Sequence, residues 1–179
     1  NGDGAGKPYG LLHDTNGAAA GVTAASATAF TADELIDLVY SLKAPYRKHA
    51  LFLFNDQTIK AVRKLKDGNG QFLWQAGLNG QPDTLLGYRY ETSSRIPLIG
   101  AGAKPILFGD FSSYWIADRE GRSIQRLNEL YARTDQVGFL TTQRVDGRLI
   151  LPESVKVLKM AGIKPAPAPT PDPDEQANG

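Results

Sequence analysis

The sequence predicts a mixed fold of helices and short strands, on three observations. A capping box opens an amphipathic helix at Thr31, an asparagine cap opens a second at Asn55, and Pro105 to Glu129 reads as a β-meander. In the meander, Ile106, Leu107 and Phe108 are β-formers stopped by Gly109-Asp110. Tyr114, Trp115 and Ile116 supply a second run, which reverses at Arg119-Glu120-Gly121-Arg122. No residue there looks catalytic.

At the start, NGDGAGKP places Gly2, Gly4 and Gly6 before Lys7 and invites a phosphate-loop reading. The spacing is wrong: Pro8 follows the lysine and no apolar strand precedes the glycines, so a turn between elements is expected. Asn16 to Ala29 is Ala/Gly/Thr-rich with little periodicity and is expected to be an exposed connection. Thr31 and Glu34 then satisfy the S/T-x-x-E pattern, and Leu35, Leu38, Val39 and Leu42 recur on one helical face. Pro45 disfavours helix in the residue before it, which predicts an end near Ala44. Ala50 to Phe54, ALFLF, is an unbroken apolar strand and implies cover on both faces.

In the second helix Ile59, Val62 and Leu65 face inward, while Lys60, Arg63, Lys64 and Lys66 form a basic stripe best read as a solvated face. Asp67-Gly68-Asn69-Gly70 is a turn, Phe72 to Gln75 a strand and Ala76 to Pro82 a loop. Leu85 to Thr92 reads as a strand with Tyr88 and Tyr90 on one face, and Ser93 to Lys104 as an irregular loop. Val137 to Val145 and Arg148 to Leu151 flank Asp146-Gly147, a pair suited to a tight hairpin turn. Val155, Val157 and Leu158 form a last strand. From Lys164 to Gly179, alternating prolines with Asp172, Asp174 and Glu175 mark a disordered Pro-rich acidic tail outside the core.

Composition narrows the function classes. The 179 residues carry 20 Lys plus Arg against 19 Asp plus Glu, a formal +1 that does not support a protein devoted to wrapping nucleic acid. With no cysteine there is neither a disulfide nor a thiolate metal site, and no apolar run approaches the ~20 residues of a membrane-spanning helix. The two histidines, His13 and His49, lack metal-ligand spacing. His13-Asp14 adjacency is not a dyad, since sequence neighbours diverge in direction and no nucleophile motif accompanies them. Tyr114-Trp115 sits in an apolar context without an interleaved basic groove, so core packing is expected over base stacking. No catalytic, cofactor-binding or metal-ligating residue emerges, and no cofactor is expected. Asp118, Arg119, Glu120 and Arg122 form an alternating charge cluster that suits either a solvated turn or an inter-subunit ion pair.

FGDFSSYWIADREG, then RTDQVGFLTTQRVDGRLILPESVKVLKM, with NDQTIKAVRKLKDGNGQFLWQ, TLLGYRYE and NGDGAGKPYGLL before them, resemble successive landmarks of the major capsid protein of tailed bacteriophages, Hong Kong 97 type. The resemblance runs from Asn1 to about Met160. It implies an α+β fold, with a peripheral domain over 1–44 and 132–163 and an axial domain over 45–131 that meets its copies around five-fold and six-fold axes. It also implies an N-terminal arm, an extended loop and a spine helix before the NGDG landmark, so that this chain would be the C-terminal portion. The implied partners are copies of itself in pentamers and hexamers, a portal, a scaffold, a maturation protease, and packaged double-stranded DNA bound non-specifically, with no membrane. The implied place is the virion, assembled in the bacterial cytoplasm. The Lys-Asn crosslink of some family members is not carried over, because GFLTTQRVDG offers no asparagine.

The expected function is therefore structural, not enzymatic: shell subunits need rigid units with complementary edges, because many weak contacts around closed symmetry sum to a stable container. An encapsulin-like compartment shell is the alternative within the fold. A nucleotide-binding module using the Gly-rich start is the alternative outside it.

Overall fold

The structure, a computed structural model, describes residues 2–66, 70, 71, 74, 75 and 84–162. Its centre is a five-stranded mixed sheet of order β1-β9-β6-β2-β5. Here β1 is Ala19–Thr23, β2 Leu51–Phe54, β5 Tyr90–Thr92, β6 Ile106–Gly109 and β9 Val155–Lys159. The two outer pairs, β1 with β9 and β2 with β5, are parallel, while β6 runs antiparallel to both of its neighbours. Helices α1 (Ala32–Ser41), α2 (Ala44–Arg47) and α3 (Asp56–Arg63) complete the unit.

The period-two alternation of the strands sorts the apolar residues into two cores. Ile106, Phe108, Phe52, Phe54 and Leu158 join Leu35, Leu38, Leu42 and Val62 of the helical segments on one face. Leu107, Val155 and Val157 join Leu12, Ala18, Ile96 and Leu149 on the other. All four residues of β6 are buried, whereas β2 alternates between half-buried and buried. Two-faced cover, expected of the ALFLF strand, is therefore fuller at its neighbour β6. Close approach at the end of β6 needs a glycine: a Cβ on Gly109 would lie 2.3 Å from the Ser154 carbonyl oxygen.

Helix α1 begins where the capping box predicts. Glu34 N donates to Thr31 Oγ1 at 3.3 Å and Thr31 N donates to Glu34 Oε2 at 2.8 Å. Glu34 Oε1 also accepts from Ala25 N at 2.7 Å, which ties the preceding connection to the helix. The helix ends at Ser41, ahead of the expected Ala44. Leu42 is extended, and Pro45 sits in the first turn of the short α2, where a missing N–H costs no hydrogen bond. Asn55 caps α3 by accepting from Gln57 N at 3.0 Å, and its Nδ2 donates to Ile96 O at 2.9 Å.

Five local expectations are corrected. Asn16 to Ala29 is not all connection, because β1 lies within it, held by parallel pairing to β9. Leu85 to Thr92 is not one strand: β4 (Thr84–Leu85) turns tightly through Leu86 and Gly87, both at positive φ, before β5, and β4 pairs with β3 (Trp74–Gln75). The Pro105–Glu129 stretch is not a meander. β6 belongs to the central sheet, and Tyr114–Leu127 is one long strand, β7, whose partner is β8 (Gly138–Leu149). Arg119 to Arg122 is consequently an irregularity within β7, not a reversal. Asp146-Gly147 is not a turn, because it lies inside β8 opposite Ala117 and Ile116. The expectations for Asp67 to Asn69, Phe72, Leu73, Ala76 to Pro82 and Lys164 to Gly179 fall outside the described residues.

Strands β1 and β9, from the segments expected to be peripheral, thus share one sheet with β2, β5 and β6 from the segment expected to be axial. The β7–β8 ribbon spans the expected boundary at 131/132.

Candidate assembly surface

A ribbon of β7 and β8 stands apart from the central sheet, and among the described residues its strands pair only with each other. The 12 residues of β8 at the usual rise of about 3.3 Å give it a length of roughly 35–40 Å. Its base is fastened to the body. Tyr114 Oη donates to Tyr9 O at 2.8 Å, Tyr9 N donates to Gly147 O at 3.0 Å, and Ile150 N donates to Ser113 O at 3.0 Å. Burial, with the nearby Asp146 carboxylate second, raises the Tyr114 phenol's pKa and keeps it a donor. Gly147 serves packing here, since a Cβ on it would sit 2.7 Å from Tyr114 Oη.

Beyond the base the ribbon exposes large apolar side chains on both faces. Residues directly opposed across the pair share a face. Ile116, Ile124, Val145 and Phe139 lie on one side and Trp115 and Leu140 on the other. Ile116 is 70% exposed, Ile124 71%, Phe139 69% and Trp115 67%. Core packing, expected for the Tyr114-Trp115 pair, therefore holds in part for half-buried Tyr114 and fails for Trp115. A two-stranded ribbon is marginal alone, and its outer edges and exposed apolar side chains make it a candidate contact surface.

The predicted charge cluster lies halfway along this ribbon. Gln143 joins two of its members, accepting from Arg122 Nε at 3.1 Å and donating to Asp118 Oδ2 at 3.3 Å. Arg119 opposes Arg144, and both are exposed. The Glu120 side chain lies outside the described residues. Ser123 Oγ and Thr142 Oγ1 hydrogen-bond across the strands just past the irregularity. The cluster was legible in the sequence. Among the apolar residues flanking it, Ile124, Phe139 and Leu140 fall on both faces of one ribbon, a pattern a one-sided strand lacks.

Elsewhere the candidate chemistry dissolves into local structure. The Gly-rich start doubles back, with Asp3 bridging to Tyr9 and Lys7 Nζ 3.6 Å from Asp3 Oδ2, so the lysine is directed at its own turn. His13 Nδ1 accepts from the backbone N–H groups of Asn16 at 3.1 Å and Thr15 at 3.3 Å, while Asp14 takes Lys104 Nζ at 2.8 Å. That hydrogen bond from Lys104 holds the Asp14 carboxyl below its ordinary pKa. The adjacent pair thus points to different partners. Lys60, Arg63, Lys64 and Lys66 are all exposed along α3 and just beyond it. Among the described residues no three His, Asp or Glu side chains gather as a metal site would require, and no helix is long and apolar enough to cross a membrane.

Comparison with known proteins identifies the family. The model of the phage capsid family matches residues 1–160. The capsid of the native GTA particle, computed with C5 symmetry, is 36% identical with a TM-score of 0.71, covering 89% of this chain and 64% of that one. The capsid of the empty GTA particle is 35% identical with a TM-score of 0.68, covering 88% and 55%. The chain thus spans between about half and two thirds of the length of these relatives. A chain of Gordonia phage Cozz, 14% identical with a TM-score of 0.55, covers 88% of this chain and 55% of its own length and shares the fold. No curated protein matches. With the family model spanning the sheet, the helices and the ribbon alike, this chain belongs to the phage capsid family.

Proposed function

We propose that this chain serves as a major capsid subunit, building the shell of a phage or phage-like particle from many copies of itself. The observation that carries the reading is the β7–β8 ribbon, fastened at its base and apolar on both faces, within a chain that the capsid family matches over residues 1–160. Edge backbone groups and exposed side chains together offer what a neighbouring subunit needs, hydrogen bonds for register and apolar area for affinity. Asp118, Arg119, Glu120 and Arg122, set among the apolar residues, suit a role in choosing the register between copies.

Pentamers and hexamers, a portal, a scaffold, a maturation protease and enclosed double-stranded DNA are the partners this reading brings with it. The strand pairing favours a division between the sheet-and-helix unit and the ribbon over one at 44/45 and 131/132. The relatives' GTA capsids favour a phage-like head over an encapsulin-like compartment.

Sedimentation velocity with electron microscopy of the purified chain tests the reading. Rings, sheets or shells that grow with concentration are expected. A single monomeric boundary at every concentration would overturn it.

A further inference from the structure

Two adjoining hollows open beside the starts of β2 and β5. The larger, about 590 Å³, is lined by Lys48, His49 and Arg89, the smaller, about 320 Å³, by Ile36, Val39 and Tyr40, and both by Arg47, Leu86 and Tyr88. They are two halves of one cleft, cationic at one end and apolar at the other. The parallel pairing of β2 with β5 brings the cations together. Phe52 lies opposite Tyr90 and its N–H donates to Arg89 O at 2.9 Å, so Lys48 and Arg89, each just ahead of its strand, arrive at the same end of the sheet. The cleft is pre-organised. Arg47 Nε donates to Leu42 O at 2.9 Å and its guanidinium lies 5.0 Å from the centre of the Tyr40 ring. Tyr88 stands edge-on against Phe108, with ring centres 5.0 Å apart. Leu86 and Gly87, at φ 51° and 81°, form a two-residue turn at the rim, closed by hydrogen bonds of 2.9 and 3.0 Å between Leu85 and Tyr88.

No acidic residue is among the described residues that line either hollow, and among the described residues Lys48 and Arg89 have no ion-pair partner. Cations gathered this way repel one another, and a multivalent anion relieves the repulsion. We propose that the cleft binds a nucleoside polyphosphate, its phosphates taken by Arg47, Lys48 and Arg89 and its base held in the apolar hollow beside Tyr40 and Tyr88. An arginine fork matches the paired oxygens of a phosphate, and tyrosine rings suit a flat heterocycle. The size of the hollows falls within the range of small-molecule sites. Charge alone does not define such a site. Lys60 and Lys64, on the basic stripe of the α3 segment, line neither hollow, and neither does Lys7 of the Gly-rich start.

Titration calorimetry of the full chain at physiological salt tests this with ATP, inorganic triphosphate and adenosine. ATP should bind about tenfold more tightly than triphosphate, which lacks the ring, and than adenosine, which lacks the phosphates. Lys48→Gln with Arg89→Gln should weaken ATP by about tenfold or more. Tyr40→Leu should weaken ATP about fivefold and leave triphosphate nearly unchanged. Lys48, Arg89 and Tyr40 are exposed, so the variants keep the fold, which urea unfolding checks. Lys60→Gln with Lys64→Gln removes the same charge elsewhere and should leave ATP binding as it was. No binding at about millimolar ATP, equal losses in the two double variants, or triphosphate binding as tightly as ATP overturns the proposal. Competition with a single-stranded oligonucleotide separates the free nucleotide from a nucleic acid strand. Displacement of ATP only at a higher nucleotide concentration supports the proposal, and displacement at a lower one assigns the cleft to nucleic acid and overturns it.

Discussion

Replacing the apolar side chains on one face of the ribbon should abolish association while leaving the subunit's own stability nearly untouched. The variant is Ile116→Thr, Ile124→Thr and Phe139→Thr, which keeps residues that favour strands. Each side chain is about 70% exposed, so most of its transfer free energy is still unspent in the isolated subunit. Full burial of such a side chain is worth roughly 1.5–3 kcal/mol, which leaves about 1–2 kcal/mol each and about 3–6 kcal/mol for the three. At about 1.4 kcal/mol per tenfold, association should weaken by roughly two to four orders of magnitude. Urea unfolding of the same variant should move by no more than about 0.5 kcal/mol per site, as at other exposed positions. Phe108→Ala is the control: fully buried between Phe52 and Tyr88, it should cost about 3–5 kcal/mol in unfolding. Sedimentation for association and urea titration for stability separate the two effects. Unchanged association, or an unfolding loss in the triple variant as large as that of Phe108→Ala, would refute the assignment of this face as an interface.

Three further outcomes are expected. Thr31→Ala removes the acceptor for Glu34 N and should lower unfolding stability by about 1 kcal/mol in urea titration. Gly109→Ala drives a methyl group to 2.3 Å from Ser154 O and should cost about 1–3 kcal/mol or force β6 and β9 apart, visible as faster amide exchange in both strands. Glu153 accepts from Lys43 Nζ at 2.5 Å and Tyr46 Oη at 2.7 Å, and chiefly the Lys43 hydrogen bond holds its folded pKa below the ordinary 4.5. The contact's contribution is therefore present above about pH 4.5 and lost as pH falls through the lowered folded value. Glu153→Gln should remove that acid limb, so parent and variant stability curves should converge at low pH.

Elements specified by their own residues were legible in advance. Helix α1 has its cap, its apolar face and its acidic first turn within one short segment, and β9 carries an apolar run with a clear end. Strand β1 was missed because AAGVT has weak local preference and is held by β9, a strand from the opposite end of the chain. Asp146-Gly147 misled because Gly147 answers to Tyr114, a neighbour absent from the local pattern. Trp115 was misassigned for a deeper reason. An apolar residue at a subunit contact and one in a core look alike in sequence, since both leave water, and the sequence does not say in which step. The residues of the charge cluster are neighbours in sequence, yet their place on an extended strand depended on the β7–β8 pairing.

The slot that β9 occupies also governs when the subunit becomes whole. β9 sits between β1 and β6, so until the chain is made through Lys159 β1 has no sheet to join. Pairing across so long a separation is entropically slow. A nascent chain therefore lacks a finished sheet until Lys159 has been made. Until then the ribbon's base, fastened through Tyr114 and Tyr9, has no completed sheet beside it.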